Sequence, residues 1–193
     1  MKSVVIFCGS SEGSLPAYKT QAYQLGKTLA EQGIRVIYGG AKIGLMGAAA
    51  DGALHHGGEV VGVIPEFLQT KEVAHEGLTD LIVVDTMHER KLKMHELSDG
   101  IITLPGGFGT MEEMFEMLTW AQLGLHGKPI GVLNTEGFYT DLFELADVMV
   151  DRGFLKANHR DMLIICEDIN ELIDRMKAYE APELPKWISK QTT

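Results

Sequence analysis

The sequence predicts an α/β fold of the Rossmann-like, doubly wound kind, a single-domain parallel sheet of about seven strands with helices on both faces. Three observations lead there. Short β-branched apolar runs recur along the chain, stretches of helical pattern separate most of them, and three of the runs end in loops that carry glycines.

The elements follow in order. A strand over residues 3–8 opens the chain after one lysine, and the loop Gly9-Ser10-Ser11-Glu12-Gly13-Ser14 leaves it. Pro16 at a first helical position and Gly33 just past the end punctuate a helix over 16–32. A strand over 34–38 runs into Gly39-Gly40-Ala41-Lys42-Ile43-Gly44 and then a helix over 43–56. Strands over 60–64 and 81–84 precede a helix over 87–98. A strand over 100–104 leads through Pro105-Gly106-Gly107-Phe108-Gly109 into a helix from Thr110 to 123. Strands over 129–133 and 162–166, a helix over 139–152 and a closing helix near 169–179 complete one domain, 1–179, with a peripheral tail over 180–193.

Composition narrows the function. Among 193 residues, 27 are acidic and 17 basic, a net charge of −10 with no dense basic stripe, which argues against polymeric nucleic acid as a partner. One phosphate can still be held by local N–H groups and one or two cations. No uninterrupted apolar run is long enough for a membrane span, and nothing reads as a signal peptide. Cys8 and Cys166 are far apart in apolar runs, as buried reduced thiols of a cytoplasmic protein.

In doubly wound sheets ligands bind beyond the carboxyl ends of the strands, so the three glycine loops should converge on one cleft. The 105–110 loop is the best phosphate seat, because a strand turning through glycines into a helix start aims several N–H groups and the helix dipole at one point. Thr110 offers a hydroxyl or a cap. Glu112 and Glu113 in the next turn are unhelpful for merely binding a phosphate and suggest chemistry. Thr110 and Glu113 also have T-x-x-E spacing, so Glu113 can equally complete a capping box. Arg90 and Lys91 flank a stripe formed by Met87, Met94 and Leu97, and cations beside a core-facing stripe ask for a partner: an anionic substrate, Glu113 or a structural ion pair.

Other chemistries lack their motifs. The 39–44 glycines have P-loop spacing but are followed by Leu45 and Met46, and Glu112 stands where a dinucleotide fingerprint starting at Gly107 needs its last glycine. No H-E-x-x-H, zinc-spaced Cys/His cluster or G-x-S-x-G elbow occurs, so no metal or cofactor is expected. A phosphate seat, cations and carboxylates suit cleavage of a nucleotide N-glycosidic bond, in which a carboxylate stabilises the oxocarbenium-like sugar and orients water. These parts alone do not select that reaction over other chemistries of phosphorylated ligands.

The run Met87-His88-Glu89-Arg90-Lys91, the motif Pro105-Gly-Gly-Phe-Gly-Thr-Met-Glu-Glu113 and Thr119-Trp120-Ala121-Gln122-Leu123-Gly124 resemble the "lonely guy" (LOG) family of cytokinin riboside 5′-monophosphate phosphoribohydrolases. Cys8-Gly9-Ser10-Ser11, Tyr38-Gly39-Gly40, Gly44-Leu45-Met46-Gly47 and Lys128-Pro129-Ile130-Gly131 extend the likeness through about residue 135. The resemblance implies hydrolysis of N6-modified adenosine 5′-monophosphates, and AMP, to free base and ribose 5-phosphate. It implies Arg90 and Glu113 as the catalytic pair, with Glu72, Lys91, Gly106, Gly107, Phe108, Gly109, Thr110, Met111, Glu112 and Thr119 at the substrate and Gly9, Ser10, Gly39 and Gly40 from the other loops. The family has carried the label lysine decarboxylase, yet no motif here marks a lysine for pyridoxal phosphate. It also implies a homodimer, and the 111–125 stretch, apolar nearly all round, fits an interface. A nucleotide- or pterin-cofactor carrier without hydrolysis is the alternative.

Overall fold

All seven apolar runs become strands of one parallel sheet, in the order β4-β3-β2-β1-β5-β6-β7. These are β1 (Ser3–Phe7), β2 (Arg35–Tyr38), β3 (Val60–Pro65), β4 (Asp80–Val84), β5 (Gly100–Thr103), β6 (Ile130–Leu133) and β7 (Leu163–Cys166). The computed structural model describes residues 1–69 and 74–182. The helices are α1 (Pro16–Glu31), α2 (Gly44–Leu54), α3 (Glu66–Gln69), α4 (Met87–Leu97), α5 (Phe108–Gln122), α6 (Thr140–Asp151), α7 (Ala157–Arg160) and α8 (Ile169–Lys177). No helix among the described residues is long and apolar enough to cross a membrane.

The central strand shows why the sheet is covered on both sides. Val4 and Ile6 enter a core with Leu25, Leu29, Ala49 and Ala53 of α1 and α2, whereas Val5 and Phe7 enter another with Met94 and Met117 of α4 and α5. Side chains alternate across a strand, so an all-apolar strand needs two apolar layers. Strand β1 pairs with β2 on one edge, Val5 to Ile37, and with β5 on the other, Val5 to Ile101. The helix after β1 covers one face and the helix after β5 the other, which opens the switch-point crevice at the strands' carboxyl ends.

Three short elements escaped the sequence pattern: α3, α7 and a 3-10 turn at Thr135–Gly137. Each is too short to show a period. A more consequential difference concerns α5, which starts at Phe108 rather than Thr110, with Gly107 as N-cap and no side-chain cap bond. The capping box expected of Thr110 and Glu113 therefore does not form; Thr110 lies inside the first turn. A capping box does form at Thr86 and Glu89, at the start of α4.

Helices α1 and α2 meet through glycines. A Cβ on Gly26 would lie 2.0 Å from the Ala49 carbonyl, and one on Gly52 would lie 2.0 Å from that of Tyr23. Alanine in place of a mid-helix glycine ordinarily stabilises by about 1 kcal/mol. Here Gly26→Ala is expected to destabilise by about 1–3 kcal/mol, because the backbones must separate. The urea midpoint measures this, and its sign separates crossing geometry from helix propensity.

Candidate active site

The glycine loops are bonded to one another before any ligand is considered. The Gly9 N–H donates to the Pro105 carbonyl at 3.0 Å, and the Leu45 N–H donates to the Gly9 carbonyl at 3.1 Å. Gly44 adopts φ +61°, and a Cβ there would fall 2.3 Å from the Ser10 carbonyl carbon. A Cβ on Gly106 would meet the Thr110 hydroxyl at 2.1 Å. These contacts close a cavity of about 400 Å³ lined by Gly9, Ser10, Gly39, Arg90, Glu112, Glu113 and the 107–110 turn.

The cavity floor at α5 carries the groups that an anion seat needs. The first N–H groups of a helix have no intrahelical acceptor. Among the described residues, chain neighbours aside, nothing lies within 4 Å of where a Cβ on Gly107 or Gly109 would stand, so a ligand can reach the backbone. Thr110 is buried beneath this shelf, and Phe108 is 96% exposed at its lip.

Arg90 arrives from α4 and is 6% exposed. Its Nε donates to the Val63 carbonyl and its Nη2 to the Gly39 carbonyl, both at 3.0 Å. The expected structural ion pair is not what holds it: among the described residues no carboxylate lies within salt-bridge distance of Arg90. Backbone dipoles at the ends of β2 and β3 solvate the guanidinium and leave its charge uncancelled. Gly39 is required by space, since a Cβ there would stand 2.0 Å from Nη2.

Lys91, the next residue, points elsewhere. Its Nζ donates to Glu112 at 2.6 Å and to Glu116 at 3.0 Å, and it lies at the α4–α5 groove rather than in the cavity. Burial lowers its pKa, but the bonds to Glu112 and Glu116 outweigh this and raise it overall. Such an ammonium is the reverse of a Schiff-base amine. Glu112 reaches the cavity and is tethered by Lys91.

Glu113 is the perturbed group. Burial raises its pKa to about 7, the Arg90 charge opposes that rise, and Glu112 reinforces it. A carboxyl poised near neutrality and influenced by the Arg90 charge can hold a proton or present a charge.

Of the other expected residues, Gly40 sits behind the cavity at φ +82° and Gly106 beneath its rim. Met111 packs with the Met114, Tyr139 and Phe143 cluster, and Thr119 lies exposed on α5, its hydroxyl donating to the Phe115 carbonyl at 2.7 Å. Glu72 and the tail beyond residue 182 fall outside the described residues. The structure adds Cys8, Met46, Leu68, Met87 and Met94 to the cavity wall. Position was the available signal for Cys8 and Met46, which adjoin Gly9 and the 39–44 loop. Nothing in the pattern marked Leu68. Burial holds the Cys8 thiol well above its ordinary range, so it is not a ready nucleophile.

Free helix N–H groups at the switch point of a doubly wound sheet, facing an arginine with no carboxylate partner among the described residues and a protonatable glutamate, mark an α/β protein whose cavity suits a small anionic ligand. Its relatives narrow the class. The family model described as "possible lysine decarboxylase" matches residues 46–176. The cytokinin riboside 5′-monophosphate phosphoribohydrolase LOG7 of Arabidopsis thaliana is 43% identical over 190 residues, covering 98% of this chain and 87% of its own. The probable phosphoribohydrolase LOGL2 of Oryza sativa subsp. japonica is 41% identical, covering 98% and 77%. The chain belongs to this LOG family. A molybdenum cofactor binding protein of Rippkaea orientalis superposes with a TM-score of 0.69 over 92% of this chain and 97% of its own, at 23% identity, and shares the fold.

The Glu113 carboxyl is expected to titrate near pH 7, followed by ¹³C-carboxyl NMR, and to titrate higher in Arg90→Ala, which removes the opposing cation. The stability it contributes is present below the ordinary carboxylate range and is lost as pH rises through about 7.

Proposed function

We propose that the chain hydrolyses the N-glycosidic bond of adenosine 5′-monophosphates, AMP and N6-modified forms, releasing free base and ribose 5-phosphate. Family membership supports the reaction class, and relatives 41–43% identical over 98% of the chain are named phosphoribohydrolases. The observation that carries the reading is Glu113, a carboxyl of raised pKa one turn beyond the N-terminus of α5 and influenced by Arg90, which has no carboxylate partner among the described residues. Carrier proteins share the scaffold at about half that identity, and a pure binder gains nothing from Glu113.

In this reading the 5′-phosphate rests on the N-terminal N–H groups of α5, with Gly106, Gly107, Phe108, Gly109 and Thr110 forming the seat, Gly9, Ser10 and Gly39 shaping the opposite wall and Gly40 supporting it from behind. Holding the phosphate fixes the ribose over the first turn of α5. As the base departs, positive charge develops at the anomeric carbon. Ionised Glu113 stabilises it and orients the attacking water. Arg90 donates to electronegative atoms of the substrate from a preset position, and Glu112, tethered by Lys91, meets the ribose hydroxyls. Glu72 joins the site by resemblance alone.

Product analysis tests this directly. AMP and an N6-isopentenyl analogue should each yield base and ribose 5-phosphate, while adenosine is turned over poorly because it cannot use the seat. Comparable turnover of adenosine and AMP removes the phosphate reading. Glu113→Gln should lower turnover by about two to four orders of magnitude. The wild-type activity should fall as pH drops through about 7, since protonation removes the stabilising charge.

We further propose that it works as a homodimer in the cytoplasm. Helix α5 buries Met114, Met117 and Ala121 within its own chain but leaves Phe115 exposed, and Leu92 of α4, Leu145 and Val148 of α6 and Phe154 are exposed on the same side of the sheet. An isologous contact along α5 covers this surface and directs Thr119 of one protomer toward the other's cavity, where the resemblance puts it. Light scattering at micromolar concentration should give twice the chain mass, or a multiple of the dimer; an active monomer contradicts the assignment.

A further inference from the structure

His75 is buried, 8% exposed, and its ring hydrogen-bonds to none of the residues assigned above. Its Nδ1 accepts the Gly77 N–H at 3.1 Å, and its Nε2 lies 2.9 Å from Asp51 Oδ1 on α2. A ring nitrogen that accepts an N–H carries no proton, so the neutral imidazole has its hydrogen on Nε2 and donates to Asp51. Both nitrogens are used, and the ring is fixed. Its own backbone N–H donates to the Gly40 carbonyl at 3.0 Å, and Ala74 pairs with Ala41 in an isolated antiparallel bridge.

The turn held in this way also holds the arginine. Gly39 and Gly40 are consecutive, and their carbonyls have separate tasks: that of Gly40 accepts from the His75 backbone, and that of Gly39 accepts from Arg90 Nη2. Gly40 is in the left-handed region, φ +82°, where the chain reverses with no side chain to stiffen it. Neither glycine can anchor its own carbonyl by packing. The anchorage comes from outside the turn, through the 74–77 segment, and that segment is tied to α2 by the imidazole.

We propose that His75, oriented by Asp51, is a positioning residue for Arg90: it fixes the Gly39–Gly40 turn so that the Gly39 carbonyl holds the guanidinium at the cavity wall. No substrate atom need touch His75. Without the ring, Ala74–Gly77 loses its tie to α2, the Gly40 carbonyl loses a fixed donor, and Arg90 keeps only the Val63 carbonyl as a rigid acceptor.

The proposal rests on Arg90 acting at the reacting centre, and the experiment separates the two ideas. Steady-state hydrolysis of AMP is measured for wild type, His75→Ala, His75→Gln and Arg90→Ala, together with the Glu113 carboxyl titration of each by ¹³C NMR. Loss of positioning should lower kcat in His75→Ala by about tenfold or more with KM changed less than about threefold. His75→Gln, which can still donate to Asp51, should recover most of that loss. The decisive readout needs no turnover: in His75→Ala the Glu113 titration should move upward, in the direction expected for Arg90→Ala, because the cation that opposes its rise has shifted. A merely structural role for His75 leaves that titration where it is. Full kcat in His75→Ala, or an unmoved Glu113 titration in folded His75→Ala, overturns the positioning role. Full activity in Arg90→Ala instead overturns the catalytic reading of Arg90, while the NMR shift still decides whether His75 positions it.

Discussion

A buried guanidinium, held by main-chain carbonyls and with no carboxylate partner among the described residues, is the constraint around which this site is arranged. Desolvating a charge is expensive, and proteins usually offset it with an opposite charge. Here two main-chain carbonyls, from Gly39 and Val63, do so. Dipoles satisfy the N–H donors but leave the net charge in place, so the cavity keeps a positive wall in a protein whose overall charge is −10. The arrangement requires a residue without a side chain at Gly39, strands β2 and β3 side by side, and a helix that delivers Arg90 from the face of the sheet opposite α1 and α2.

Glu113 responds to that wall. Its carboxyl is pushed up to about 7 by burial, and the Arg90 charge keeps it from rising further. Arg90 thus tempers the protonation of Glu113 across the cavity without a direct bond. An ion pair would have quenched both: arginine would no longer be available to a substrate, and the carboxylate would be fully ionised but engaged. Leaving them apart keeps a cation and a titratable carboxyl both facing the cavity, as the proposed hydrolysis requires.

Much of this was legible in the sequence, for identifiable reasons. Alternating apolar runs and helical periods define the strands because a doubly covered sheet demands both, and the loops converge because glycine permits the approaches now seen at Gly9, Gly44 and Gly106. The start of α5 was misplaced because T-x-x-E spacing describes a capping box equally well whether or not the helix begins there; the chain begins it at Phe108, capped by Gly107. The partner of Arg90 was open because backbone carbonyls carry no sequence signature. His75 was invisible for a related reason: its contacts are to Asp51, 24 residues away, and to the main chain.

Arg90 and Lys91 show how one helix serves two surfaces. Successive residues on a helix are about 100° apart, so adjacent cations cannot share one environment. Arg90 turns toward the sheet's carboxyl edge and lines the cavity, while Lys91 turns toward α5 and binds Glu112 and Glu116. Glu112 belongs to both environments, tied to Lys91 while lining the cavity. Glu116 lines the groove between α4 and α5, alongside Leu92, Trp120 and Leu125. A change at that outer groove therefore has a short physical route to the reacting centre: Glu116 to Lys91, Lys91 to Glu112, and Glu112 to Glu113, whose proton affinity its charge raises. The ionisation of the site and the α4–α5 groove therefore share the same few charges.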